Sequence, residues 1–173
     1  SGGKQGVPVT IRSIIGRGWG QGSQHSQSLH AFFAHIPGLK VVMPVTPHDA
    51  KGLLIASIED NNPVMFIEHR WLYNVIGHVP EGIYRTPLGP GKLFREGKDV
   101  TIVAISYMVM EALRAAEMLA KEGLEAEVLA VQTLRPFDDS MVLDSVRKTR
   151  RLVVADTGWE TVGFSAELVA RVA

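Results

Sequence analysis

Residues able to do chemistry concentrate in a few stretches of this chain. The most suggestive is Gly16-Arg17-Gly18-Trp19-Gly20-Gln21-Gly22-Ser23-Gln24-His25-Ser26-Gln27, where alternating glycines give way to hydroxyls, amides and one imidazole. Glycine at every second position lets the backbone pass close to something bulky or take up positive φ. The polar end then offers a proton carrier, His25, with hydrogen-bonding neighbours. A second stretch, Glu68-His69-Arg70, has the look of an acid/base pair but reads better as polarity at a strand end, at a domain or subunit contact. A third, Asp60-Asn61-Asn62-Pro63, reads as a helix stop rich in oxygen. The glycines fit no G-x-G-x-x-G and no Gly-Lys-Ser/Thr follows, so neither dinucleotide nor P-loop binding is supported. The chain has no cysteine, which removes disulfides, thiolate metal sites and cysteine nucleophiles.

The elements that would position these residues are legible. An apolar run over residues 7–15 predicts a buried strand, and the pattern of residues 29–36 predicts a helix with Ser26 or Ser28 as its N-cap. Strand, glycine-rich loop, then polar side chains at a helix start is a site pattern in an open α/β sheet, whose ligands gather at strand ends. On pattern alone the loop serves equally well as a surface connection with His25 an ordinary polar residue. Residues 39–43 predict a short strand. Thr46-Pro47-His48-Asp49 is a strong helix start, with Thr46 as cap, proline at the first helical position and a carboxylate three residues after the cap. That helix runs to the Asp60 stop, and residues 64–67 form the next strand.

From residue 69 to 98 no period survives, and prolines and glycines interrupt it repeatedly. So long an irregular run predicts a crossing between domains, with Trp71, Leu72 and Tyr73 packed at its start. Beyond it, strands at 99–105, 126–131 and 152–155 alternate with helices at 110–121, after Asp138 or Asp139, and at the end. Such alternation predicts parallel pairing with right-handed crossovers. The fold class is therefore α/β, with a parallel-sheet unit on either side of that crossing.

Length fits one large or two small domains, and basic and acidic residues balance to a net charge of zero. Nothing therefore suggests a nucleic-acid or anionic-membrane surface, and no window is apolar enough to span a bilayer. The composition suits a cytoplasmic protein. The polar glycine-rich start and the uncapped helical end read as the middle of a longer chain.

At this point the residues resemble a known family. Val7-Pro8-Val9, Gln24-His25-Ser26-Gln27, His35-Ile36-Pro37-Gly38-Leu39-Lys40-Val41-Val42, Asp49-Ala50-Lys51-Gly52-Leu53-Leu54 and Asp60-Asn61-Asn62-Pro63-Val64 are similar to the beta subunits of the thiamine-diphosphate-dependent component of 2-oxo-acid dehydrogenase complexes. So are Pro87-Leu88-Gly89, Glu96-Gly97-Lys98-Asp99-Val100-Thr101, Thr133-Leu134-Arg135-Pro136 and Val146-Arg147-Lys148-Thr149, in order along the chain. The resemblance implies two parallel-sheet α/β domains: the end of a transketolase-like pyrimidine-binding domain at residues 1–74, a linker at 75–97, and a truncated transketolase C-terminal-like domain at 98–173. It implies oxidative decarboxylation of a 2-oxo acid, of the pyruvate, branched-chain or acetoin type, with acyl transfer to lipoyl.

The same resemblance implies thiamine diphosphate with magnesium, shared with an alpha subunit that carries the Gly-Asp-Gly…Asn motif, and a cofactor-binding glutamate upstream of Ser1. It implies an alpha2beta2 assembly containing a second beta subunit, and a lipoyl-bearing acyltransferase core as further partner. A eukaryotic source would place the chain in the mitochondrial matrix. His25 matches the family's active-site histidine. Val9, Ser57, Ile58, Asp60 and Asn62 match its structural potassium site, a plausible role for the carbonyl-rich end of a helix beside a carboxylate. His30, His35, His48, His69 and His78 match no role. A single-chain transketolase or deoxyxylulose-phosphate synthase, and a non-catalytic dimerisation or partner-binding module, are the competing readings.

Overall fold

The computed structural model describes residues 4–18 and 20–173. The glycine-rich start at residues 1–3 and Trp19 lie outside the described residues. The first half builds one sheet from β1 (Thr10–Ile15), β2 (Lys40–Val42) and β3 (Val64–His69), with β3 in the middle and parallel to both. Between β1 and β2 lies a short helix, α1 (His30–Ala34), and between β2 and β3 lies α2 (Pro47–Ile58). Helix α2 starts where the sequence says it should. The Thr46 hydroxyl accepts from the Asp49 amide at 3.1 Å and donates to the Asp49 carboxylate at 2.7 Å, satisfying an amide that the helix itself cannot pair.

The second half adds β5 (Val100–Ile105), α3 (Met108–Lys121), β6 (Ala126–Val131), α4 (Ser140–Thr149), β8 (Leu152–Ala155) and α5 (Phe164–Val172). Strand β5 is parallel to both β6 and β8. Helix α3 ends in a Schellman turn: Leu124 N–H reaches Leu119 O at 3.0 Å, Gly123 N–H reaches Ala120 O at 3.1 Å, and Gly123 takes φ +80°. At the start of α4 it is Asp138, rather than Asp139, whose carboxylate accepts from the Ser140 amide at 3.0 Å.

The sheets differ from simple parallel stacks in an instructive way. Each ends in an antiparallel edge strand. Within the irregular stretch, β4 (Lys92–Arg95) pairs antiparallel with β6. Past Gln132 the chain leaves the second sheet, and β7 (Thr133–Arg135) pairs antiparallel with β2 of the first. Strands this short carry too little pattern to announce themselves in sequence.

The run between β3 and β4 is no free tether. A 3-10 turn (Arg70–Asn74) follows β3 directly. Further on, Tyr84 stacks on His48 at 4.6 Å and its hydroxyl donates to His48 O at 2.9 Å, while Lys51 donates to Pro80 O at 2.7 Å. Of Trp71, Leu72 and Tyr73, expected to be packed, only Leu72 is half-buried; Trp71 and Tyr73 are exposed.

The crossing of β7 fuses the two cores. Ile15, Val41, Met43, Met65 and Ile67 of the first sheet pack in one cluster with Val103, Ile105, Leu129, Val131, Leu134 and Leu168 of the second half. At the same boundary sits Asp49, 1% exposed. Its carboxylate accepts from Thr46, from Lys92 Nζ at 2.7 Å and from Gln132 Nε2 at 2.8 Å. Burial alone pushes this carboxyl upward, but the hydrogen bonds from Lys92, Thr46 and Gln132 outweigh it and hold the group below the usual aspartate range. Its stabilising effect is therefore present above the unfolded aspartate value and lost as pH falls through the depressed folded value. In urea unfolding at neutral pH, Asp49→Asn should cost about 1.5–3 kcal/mol. The gap to wild type should close as the pH is lowered through the acid range, and a gap independent of pH would show that the carboxylate charge is not what the network uses.

Candidate functional site

The glycine-rich loop, residues 16–28, leaves the C-terminal end of β1, beside the C-terminal end of β3 where Arg70 follows His69. The loop turns abruptly at Gly16, whose φ is +84° and which is itself buried. A Cβ at Gly16 would lie 2.3 Å from His69 Nε2, so only glycine fits against that ring. Further along, the Ser26 hydroxyl donates to Gly22 O at 2.6 Å, and the His25 side chain is exposed. The expected N-cap is not realised. Helix α1 begins at His30 with Leu29 in the cap position, and no side chain caps it; Ser26 closes a turn within the loop instead. His25 thus sits on a loop crest over the sheet edge rather than at a helix mouth.

What holds this loop was not read from the sequence. Arg70 is buried, and its guanidinium donates from Nε to Gly16 O at 2.9 Å and from Nη2 to His25 O at 2.8 Å. The apparent acid/base pair before it does not exist. Successive strand residues point to opposite faces, and Glu68 turns to Arg12 at 2.8 Å and Tyr73 at 3.4 Å while His69 turns inward. His69 is 3% exposed, accepts from the Trp71 amide at 3.3 Å through Nδ1, and stacks on Tyr107 with ring centres 5.1 Å apart. Burial first, then the charge of Arg70 and the proximity of His30, pulls its pKa down to about 4. The imidazole beneath the loop is therefore neutral at working pH, beside a guanidinium that keeps its charge.

The second half of the protein reaches the same place. Tyr107, between β5 and α3, meets Trp71 edge-on at 4.9 Å, and the Arg17 guanidinium lies over the Trp71 ring, 5.4 Å from its centre. His30, fully buried at the start of α1, contacts both carboxylate oxygens of Asp156 at 2.9 and 3.1 Å, across 126 positions of sequence. Gly158 presses on the same imidazole, where a Cβ would come within 2.9 Å of Nε2. No spacing in the sequence advertises such a pair. Arg70 left a faint signal: an arginine directly following a strand buried on both faces.

The residues matched to potassium do gather in one corner, around the C-terminal end of α2 and the entry to β1. The Ser57 carbonyl accepts from Thr10 Oγ1 at 2.9 Å, the Val9 carbonyl accepts from the Val64 amide at 2.9 Å, and Ile58 ends the helix with an exposed side chain. The Asp60 carboxylate is bound by Lys40 and by the amide and side chain of Asn62 at 2.9 and 3.1 Å. Those bonds overcome the upward push of burial and hold its carboxyl below the usual range. A cation is already paired with that carboxylate, so the donors left for a metal are backbone carbonyls. Among the described residues, no three His, Asp or Glu side chains converge on a metal position, and no helix is long and apolar enough to cross a membrane.

The close approach of Gly16 to His69 can be tested by thermodynamic coupling. Gly16→Ala should be destabilising by roughly 1–2 kcal/mol from backbone conformation alone, and by more because of the ring. Adding His69→Ala should make the double variant more stable than the sum of the single losses predicts, as measured by urea unfolding. Strict additivity would mean that loop and ring do not meet.

Comparison with known proteins agrees with this architecture. The transketolase pyrimidine-binding domain matches residues 1–75, and the transketolase C-terminal domain matches residues 89–173. The chain is 51% identical over 172 residues to the beta subunit of acetoin:2,6-dichlorophenolindophenol oxidoreductase of Cupriavidus necator, covering 99% of this chain and 51% of that one. It is 44% identical to the pyruvate dehydrogenase E1 component subunit beta of Bacillus subtilis (99% and 53% covered) and 43% identical to the mitochondrial one of Bos taurus (99% and 49% covered). Among solved structures, a split-gene transketolase described as an inactive beta4 tetramer superposes with a TM-score of 0.80 at 29% identity, covering 96% of this chain and 53% of the other. The chain spans about half the length of the curated relatives it matches. The first part of the chain thus belongs to the transketolase pyrimidine-binding domain family and the second to the transketolase C-terminal domain family, in that order along nearly its whole length.

Proposed function

We propose that this chain is part of the beta subunit of a 2-oxo-acid dehydrogenase decarboxylating component, working on a 2-oxo acid with thiamine diphosphate and passing the acyl group to lipoyl. The observation that carries this reading is the similarity to acetoin and pyruvate dehydrogenase beta subunits over 99% of the chain. In this reading an alpha subunit holds the diphosphate and its magnesium, a second beta subunit completes an alpha2beta2 assembly, and a lipoyl-bearing acyltransferase core receives the product. The setting is cytoplasmic, or the mitochondrial matrix in a eukaryote. The chain by itself is inactive; the beta chains of the split-gene transketolase neighbour are likewise described as an inactive tetramer.

What this chain offers the cofactor is the loop. A Cβ at Gly20 or Gly22 would meet nothing within 4 Å, so the loop faces open space into which a large group can come. When bound there, thiamine diphosphate supplies the electron sink that lets a 2-oxo acid lose carbon dioxide. The exposed His25 imidazole supplies proton movement: a ring nitrogen donates to the dithiolane sulfur that departs as thiolate when the acyl group is taken up. In the enzyme assembled with its alpha partner, His25→Ala should leave cofactor affinity nearly intact. Acyl transfer to a lipoyl domain should fall by about 10²- to 10⁴-fold, with a smaller loss when a dye accepts the electrons instead. Wild-type rates in both assays would make His25 a structural loop residue, and a collapse in cofactor affinity would make it a cofactor ligand.

The potassium role is proposed for the carbonyl oxygens of Val9, Ser57, Ile58, Asp60 and Asn62, with the Asp60 side chain shaping the turn. Val9 and Ser57 already accept one amide each, but a carbonyl oxygen has a second lone pair, and helix-end carbonyls carry partial negative charge that suits a weakly hydrated monovalent cation. Potassium should raise the melting temperature more than equimolar sodium or choline does, because only the folded corner binds it. Asp60→Ala, which releases the turn, should abolish the difference. A potassium preference that survives in the variant would leave the corner an ordinary helix end.

A further inference from the structure

We infer that Arg70 is the positioning residue for the His25 loop, fixing the imidazole through the backbone. The inference rests on the proposed role of His25 and adds the residue that makes that role geometrically possible. The loop's own bonds are local: Gln21 N–H to Gly18 O at 3.2 Å, Ser26 N–H to Ser23 O at 3.4 Å, and the Ser26 hydroxyl to Gly22 O. Bonds of that kind set its internal shape but do not themselves tie it to the sheet.

Arg70 supplies that tie. Its Nε and Nη2 reach two carbonyls nine positions apart, Gly16 at the loop's root and His25 at its working residue, at 2.9 and 2.8 Å. A guanidinium is planar, and its N–H groups hold a fixed fork, so both carbonyls are set relative to one rigid plane. That plane is itself held: Arg70 opens the 3-10 turn directly after β3, a strand buried on both faces, and is 8% exposed. The charge reaches no solvent in bulk, and a buried guanidinium is tolerated only where its donors are well matched. His69 beside it is neutral, so that ring adds no positive charge against the guanidinium. The His25 backbone is thus referenced to the buried end of β3 through the Arg70 side chain. The bond to the His25 carbonyl holds the backbone from which the ring extends, and so limits where the ring can reach.

The assembled alpha/beta enzyme provides the test. Arg70→Gln should lower the turnover of acyl transfer to a lipoyl domain by about 10- to 10²-fold, the cost of a small misplacement of a reacting group. Cofactor affinity and the KM for the lipoyl domain should stay near wild type. Arg70→Lys, with a single-headed ammonium, should recover part of the loss. In a His25→Ala background Arg70→Gln should cost nothing further, since its effect passes through that ring. Hydrogen exchange on the same assembly should rise at residues 16–28 and stay unchanged in β1 and β3.

Full acyl transfer by Arg70→Gln, in an enzyme that His25→Ala disables, overturns the inference and leaves the proposed function standing. Losses that add in the double variant overturn it too, by showing that Arg70 acts independently of His25. If His25→Ala proves silent, the acid/base role falls instead, and exchange confined to the loop still decides whether Arg70 holds it. Should Arg70→Gln fail to fold, Arg70→Lys carries the same test, with loop exchange at the wild-type level as the overturning result.

Discussion

A carboxylate 1% exposed cannot remain unpaired, and the way Asp49 is satisfied dictates how the two halves of this protein meet. One partner, Thr46, is local and belongs to the helix start. The others come from afar: Lys92 opens β4, and Gln132 marks the point where the chain leaves β6. Gln132 also gives its carbonyl to the Met43 amide at 2.8 Å, beyond the end of β2. One buried charge therefore ties the start of α2, the returning irregular stretch and the crossing into β7. The antiparallel edge of the first sheet follows from it, since Thr133–Arg135 can reach β2 only from that crossing.

Once the crossing is made, apolar burial completes the join. The inner faces of both sheets contribute to a single cluster, with Met43 and Ile67 from one side and Val103, Leu129 and Val131 from the other. Close packing across the boundary leaves little room for the halves to slide. This matters for the site, because the loop of residues 16–28 is supported from both. Arg70 and His69 come from the first sheet, and Tyr107 and the Asp156 that engages His30 come from the second.

The electrostatics under the loop are economical. His69, Arg70 and His30 crowd one buried place, and three cations there would repel strongly in a low dielectric. Neutrality of His69, produced by burial and by the neighbouring guanidinium, leaves Arg70 as the charge that grips backbone carbonyls, while Asp156 meets His30 directly. A platform of this kind presents the exposed His25 from a fixed base, as the proton-transfer role proposed for it requires.

The strand and helix order, the capped start at Thr46 and the helix stop at Asp60 were legible in the sequence, because each depends on neighbours within a few residues. The same holds for the loop itself and for the match of its Gln24-His25-Ser26-Gln27 to a known family. Edge strands of three and four residues, β7 and β4, were not legible: too short for a period, they exist only because a partner strand offers its hydrogen-bonding edge. The expected serine cap of α1 was not realised, since Ser26 found a nearer carbonyl within the loop. Sequence alone thus determined which residue could carry a proton and on what kind of loop it stands. Tertiary structure alone decided what holds that residue still, because Arg70 and His25 lie 45 positions apart, and His30 and Asp156 lie 126 apart. Contacts at such separations are set by how the sheets pack, and side-chain periodicity carries no record of them.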